Sequence, residues 1–257
     1  MFNAENKEST LDRALWISWY DLPINGRDKY LAWLHGTYIP KLLTTPGVLT
    51  AAHYEVDPKE KPPAHLRHTK EKLPKGNSHI LIVAGSDAHV FSRLSTFRGK
   101  PTASEKRMLA MRLGERVNLF TEEARAQGPA AKRREGKYTL APGIQLGNFD
   151  SGSWQDEDEL LSWYADLRLP NFKALPSGIT IRKLASVSGW AKHGVLYEFT
   201  SLEERAKYFR AHEAKDKKRA QWTHDVVAKL VHAPGSPAVA KRIWPPIKTT
   251  APRRAKK

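Results

Sequence analysis

Cysteine is absent from all 257 residues, which excludes disulfides, thiolate metal sites and cysteine nucleophiles. Apolar runs are short. None approaches the roughly 20 residues that span a bilayer, and the N-terminal MFNAENKEST is polar, not a charged start leading into an apolar core. A soluble, cytoplasmic protein is expected. The motifs HExxH, GxxxxGK(S/T) and GxGxxG are missing too, so metalloprotease, P-loop and dinucleotide-binding functions have no anchor.

Positive charge is in excess, with a formal net charge of +16. Such a charge suits an anionic partner, but its distribution argues otherwise. It gathers in the tail KTTAPRRAKK, in the Pro-rich stretch KEKPPAHLRHTKEKLPKG (Lys59 to Gly76) and in AAKRREGK, all of which read as solvated loops and tails. A nucleic-acid partner would need an open aromatic sheet face on which bases stack.

The chain also repeats itself. WLHGTYIPKLLTTPGV starts at Trp33 and WYADLRLPNFKALPSG at Trp163, an offset of 130 (163 − 33). In both, Trp is followed by Pro seven residues on and by a second Pro thirteen on, with a Gly next to it in the first copy and one residue further in the second. Upstream, LWISWYDLP and IQLGNFDSG each end a strand-like run in an aromatic followed by Asp. Downstream, HILIVAGSD answers to GVLYEFTSL.

Period-two alternation of Leu15, Ile17 and Trp19 with Trp16, Ser18 and Tyr20 predicts a strand. A helix follows through Tyr30, Leu31, Trp33, Leu34 and Tyr38, disturbed by Pro40. VLTAAHYEV and SHILIVAG predict two more strands, and a weak helix covers residues 88–94. The second copy predicts strand GIQLGNF, the acidic-start helix DEDELLSWYADLRLP, strands ITIRKLASV and GVLYEF, and helix SLEERAKYFRAHEA, opened by a Ser201/Glu204 capping box. Both copies thus spell strand, helix, strand, strand, helix, most of a ferredoxin-like unit. A closing strand is expected near Arg98 to Pro101 and near Ile243 to Pro246. Between the copies, the helical periodicity of Met108, Met111, Leu119 and Phe120 predicts a linker helix, followed by a flexible basic seam. The expected organisation is a tail at 1–12, a first repeat at 13–100, linker and seam at 101–139, a second repeat at 140–247, and a disordered basic tail at 248–257.

A strand ending in aromatic and Asp, a helix with Trp and Pro at this spacing, and Pro-Gly before the next strand resemble the dimeric α+β barrel superfamily, most of all its EthD-like branch. The resemblance implies an α+β fold in which two ferredoxin-like repeats form one barrel, with each sheet covering the other's bare face. Internal duplication would let one chain supply both halves, and a homo-oligomer is compatible with it. EthD-like proteins commonly carry a His two residues before the helix Pro. Here those positions are Tyr38 and Arg168, and His35 stands one turn before Tyr38. The superfamily includes haem enzymes, so haem is the one cofactor left open, with no motif that identifies a ligand to it.

If Leu15, Ile17, Ile144 and Leu146 face the helices, then Trp16, Ser18, Tyr20, Gln145, Gly147 and Phe149 face the barrel interior. Aromatics mixed with small and polar groups suit a small-molecule pocket; the same aromatics could instead plug the barrel. His35 is the candidate base, because His titrates near neutral pH, with Tyr20 or Tyr38 as hydrogen-bond donor. A lone His on an amphipathic helix also has a structural reading. Trp16, Ser18, Gln145, Phe149, His53 and Arg168 are the candidate ligand contacts, and no metal ligands are assigned. Adjacent His212 and Glu213 point to different helix sides, which argues against a joint metal site. The expected function is small-molecule binding, extending to acid–base or cofactor-independent oxidative chemistry on a small apolar or aromatic compound. The alternatives are a non-catalytic ligand-binding protein, a haem-binding barrel and a nucleic-acid-associated basic protein.

Overall fold

In the computed structural model, residues 11–92, 97, 99–213 and 217–247 are described. The expected tail at 248–257, most of that at 1–12, and the side chains of His212 and Glu213 lie outside the described residues. The strands are β1 (Ala14–Asp21), β2 (Val48–Val56), β3 (Arg67–His68), β4 (His79–Gly85), β5 (Leu113–Gln127), β6 (Gly143–Asp150), β7 (Gly178–Ser188), β8 (His193–Phe199), β9 (Val231–His232) and β10 (Ala238–Trp244). Eight of them close a barrel in the order β10-β2-β4-β1-β5-β7-β8-β6, with β6 returning to β10 and every pairing around the ring antiparallel. β9 and β3 extend the sheet from β6.

Within this ring lie two four-stranded units, β5-β1-β4-β2 and β10-β6-β8-β7, each in ferredoxin-like order. The last strand of each half pairs with the second strand of the other, β5 with β7 and β10 with β2. The fold is therefore α+β, two ferredoxin-like units forming one barrel.

β5 corrects the expected linker helix. The apolar positions there belong to two elements: helix Ala103–Leu109, capped by a Thr102/Glu105 box, ends before Met111, and Gly114 turns the chain at φ +59°. From Leu113 the period is two. Val117 and Leu119 face the helices while Phe120 enters the barrel. The first half's closing strand is therefore β5, and residues 99–101 form no strand.

The faces of β1 and β6 are also the reverse of the expectation. Leu15, Ile17 and Trp19 meet Ile144, Leu146, Leu184 and Leu196 inside the barrel, whereas Trp16 and Tyr20 pack under the first half's helices and Phe149 under the second's. Alternation was legible, but its direction was not. On β1 and β6 the face turned into the closed barrel is the more apolar one, because polar atoms buried there cost free energy unless they are paired. The barrel's middle, where a pocket was expected, is packed with these buried side chains.

The repeated phrase has a common geometry. Each helix contains a π turn, Leu34–Tyr38 and Tyr164–Arg168, where the N–H of Ile39 reaches the carbonyl of Leu34 and that of Leu169 reaches Tyr164. Pro40 and Pro170 follow at once and cannot donate to the carbonyls of Gly36 and Asp166, so the widened turn sits where the ordinary ladder is already broken.

At the seam between halves, Gly128 lies against Gly178. A Cβ on Gly128 would come 2.2 Å from the Gly178 carbonyl oxygen, a backbone atom with little freedom to retreat. Gly128→Ala is expected to destabilise the protein by about 1–3 kcal/mol, read as a lower urea midpoint. A midpoint equal to wild type would show that the seam can shift.

Candidate functional site

Each half holds a layer between sheet and helices, and the two layers differ. In the first, Trp16 meets Phe97 edge-on at 5.5 Å, and Phe97 meets Phe91 at 4.8 Å. Arg112 lies 4.5 Å over the Tyr20 ring, donates from Nε to Tyr30 Oη at 2.6 Å and from Nη1 to Glu115 at 2.7 Å. Ser18 donates to the same carboxylate at 2.5 Å. These side chains fill the layer. Tyr38 stacks on Trp33 at 5.0 Å.

Against that filling runs a hydrogen-bonded line. His35 Nε2 is 2.8 Å from His53 Nδ1, and His53 Nε2 is 3.0 Å from the Tyr20 hydroxyl. His79 stacks on both Tyr20 and His53, with Arg27 3.2 Å from its Nε2. His35 is half-buried, His53 and Tyr20 fully buried. Burial lowers the pKa of His35, holds that of His53 well below its usual value with help from His79, and takes His79 down to about 4. Burial likewise raises the Tyr20 hydroxyl well above its ordinary pKa. At neutral pH the line is uncharged and can pass a proton between a half-exposed end and a buried one. Sequence reasoning named three of its members but missed Arg112 and His79, although His79 shares its strand face with Leu81 and Val83.

The second half contains a cavity of about 400 Å³ between β6, β8 and the helices Glu157–Trp163 and Lys217–Lys229. Its origin is the sheet floor. At an offset of 129 (145 − 16), Trp16, Ser18 and Tyr20 become Gln145, Gly147 and Phe149, so a large ring is replaced by an amide and a small side chain by none. Phe149, Trp163, Tyr164, Val195, Tyr197 and Phe209 wall it. Arg168, at the end of its π turn, donates to the Tyr197 hydroxyl from Nε at 3.1 Å and Nη2 at 2.6 Å, and lies 5.0 Å over Trp163. Pro63, His65 and Leu66 come from the first half's Pro-rich loop and roof the space. The Glu60–Arg205 ion pair, at 3.3 Å, ties that loop to the second half.

Of the candidate contacts, Gln145, Phe149 and Arg168 line this cavity; Trp16, Ser18, Tyr20, His35, Tyr38 and His53 lie in the first half's layer. The sequence reading missed His232, which lines the cavity from β9, a strand too short for any periodic signal. Burial takes its pKa down to about 4. Beyond Phe149, buried Lys183 reaches His193 Nδ1 at 3.1 Å and Glu123 at 2.9 Å, in the sheet positions that His53 and His79 occupy in the first half. Among the described residues no group of three His, Cys, Asp or Glu could hold a metal ion. None of their helices is long and apolar enough to cross a membrane.

No family model and no curated protein matches the chain. Solved structures do. An anthrone oxidase-like protein aligns with a TM-score of 0.57 at 10% identity, over 91% of this chain and 92% of its own. A candidate monooxygenase from Fusobacterium nucleatum subsp. nucleatum gives 0.55 at 10%, over 89% and 91%. Another, from Lactobacillus acidophilus, gives 0.52 at 9%, over 90% and 94%. At such identities the likeness is one of fold: the chain shares with these proteins an α+β barrel architecture along nearly its whole length.

Proposed function

We propose that the protein binds a small aromatic or otherwise apolar molecule in the second-half cavity. The observation that carries this reading is the cavity itself, aromatic-walled and roofed by a loop from the other half, where the equivalent space in the first half is filled. Its volume falls within the roughly 300–1,000 Å³ of ligand pockets. Likeness to candidate monooxygenases and to an anthrone oxidase-like protein supports extending the reading to cofactor-independent oxidative or acid–base chemistry. A proton-transfer role for His35 and Tyr20 is supported by their line through His53. The shared order of elements and the common offset support origin by duplication of one ferredoxin-like unit. A nucleic-acid role loses its basis, since the aromatic sheet faces lie under helices.

Gly147→Val tests the cavity. Its Cβ would sit 3.1 Å from Val195, on the floor of the space, and the remaining methyls would rise into it. Two- and three-ring aromatic compounds are expected to raise the melting temperature of the wild type by mass action. The same compounds should leave Gly147→Val unmoved while its circular dichroism stays native. A variant stabilised as much as wild type would remove the cavity as the ligand site.

Haem is the second reading, favoured by one observation: His232 Nε2 is buried at the cavity wall without a partner among the described residues, and would ligate iron with the ring proton moved to Nδ1. A Soret band that sharpens on adding haemin to the wild type, and not to His232→Leu, would put this reading in place of the first.

A further inference from the structure

Three groups of the cavity wall have an acceptor position already taken by the protein. Gln145 Oε1 receives Arg205 Nε at 3.0 Å and Nη2 at 2.5 Å. A guanidinium only donates, so the amide orientation is fixed and the Gln145 NH2 group is what remains. Thr223 Oγ1 accepts from Trp163 Nε1 at 3.2 Å, which leaves its hydroxyl proton to give.

His232 follows from a count of protons. Ser236 is buried; its Oγ accepts from the Asn148 N–H at 2.9 Å and has His232 Nδ1 at 3.3 Å. A buried hydroxyl proton needs an acceptor, and Nδ1 is within reach, so the neutral ring carries its own proton on Nε2. That nitrogen is the unpartnered one. Among the described residues, no Asp or Glu lines the cavity.

We infer that Gln145, Thr223 and His232 present donors to the cavity, which therefore selects apolar or aromatic ligands whose polar atoms are acceptors, carbonyl or carboxylate oxygens, over ligands that bring N–H donors, with Gln145 setting the choice. This rests on the cavity being the ligand site, as proposed above. A donor facing a donor leaves both unpaired away from water, whereas an acceptor oxygen satisfies groups that the protein has left open. Sites built this way reject mismatched ligands far more strongly than apolar walls do.

Gln145→Glu is the discriminating variant. It keeps the side-chain length and gives Arg205 a carboxylate to hold, while turning the open side from donor to acceptor. Titration calorimetry on the full chain at pH 7 uses three probes on one frame: methyl 2-naphthyl ketone, 2-naphthoate and the neutral arylamine 2-naphthylamine. The wild type is expected to bind the ketone at least about tenfold more tightly than the amine, and Gln145→Glu to erase or invert that ratio. Naphthoate tighter than the ketone would mark a carboxylate as the natural feature, and the reverse a carbonyl. Equal binding of ketone and amine by the wild type, or an unchanged ratio in Gln145→Glu, would overturn the inference and leave the cavity reading standing. Binding of none of the three would bring down both. Independently of any ligand, long-range proton–nitrogen NMR at pH 7 should show His232 as the Nε2–H tautomer, with Ser236→Ala disturbing it. A ring protonated on Nδ1 would contradict the inference.

Discussion

Trp19→Ala is expected to cost about 3–5 kcal/mol, the range for removing a buried aromatic and leaving a cavity. Trp19 has no exposure, lies inside the barrel with Leu15 and Ile17, and carries the Arg116 guanidinium 5.1 Å over its ring. The barrel closes on itself through hydrogen bonds, so its walls cannot fall inward to fill the gap. Against a total of roughly 5–15 kcal/mol for a domain, this loss leaves little. Trp19→Phe should cost far less. It keeps most of the ring and deletes an indole N–H that has no hydrogen-bond partner. Urea midpoints of the two variants decide the matter: similar losses for Phe and Ala would mean that packing in the barrel is not what Trp19 contributes.

The second large effect is acid sensitivity. His79, His193 and His232 have pKa values taken down to about 4, and His53 lies well below its usual value, in each case first through burial. The sign follows from which state binds protons. Above a pH of about 6.5 these imidazoles are neutral whether folded or not, and stability is full. Below it, the unfolded chain takes up protons that the folded chain refuses, and stability falls until the folded rings of His79, His193 and His232 titrate near pH 4. The three rings taken down to about 4 each contribute roughly 1–3 kcal/mol to the fall, at 1.36 kcal/mol per unit of pKa difference, and His53 acts in the same direction. Together they are expected to unfold the protein before pH 4 is reached. Carboxylates held low, such as Asp21, act only below that window. Urea midpoints at pH 7.5, 6, 5 and 4.5 should decline steadily, and the decline should be shallower in the double variant His79→Gln, His193→Gln. A flat profile from pH 7 to 5 would show that the buried rings accept protons in place.

Much of this architecture was legible before any coordinates. The offset between Trp33 and Trp163 gave two units, alternation gave β1, and strand-like apolar runs gave β2, β4, β6, β7 and β8. β5 was not legible, because Met108 ends a helix, Met111 lies in the turn after it and Leu119 and Phe120 belong to the next strand, and their summed spacing mimics a helix. The facing of β1 was missed for a different reason: Trp16 and Trp19 are both large and apolar, and only the closure of the ring decides which is inside. Gln145 and Phe149 were singled out as facing the barrel interior, and Arg168 stands two residues before the helix Pro, yet all three line a space on the helix side of the sheet. His232 had no local pattern to reveal it. It reaches the cavity through a two-residue strand paired to β6.

The crossed pairing of β5 with β7 and of β10 with β2 sets the order in which the chain can mature. During synthesis β2 is made early, yet its partner β10 lies close to the other end, with His53 matched to Trp244. Until β7 is made the first unit carries two unpaired edges, β5 and β2, and the β2 edge stays open until β10 arrives; exposed edges invite pairing with other chains. Contacts so distant in sequence slow folding, because the loop must close before the pairing rewards it. Stability in this protein is therefore acquired late and all at once: neither half is a smaller version of the whole, and a nascent chain halted before Ala238 has a barrel with a gap where its last strand belongs.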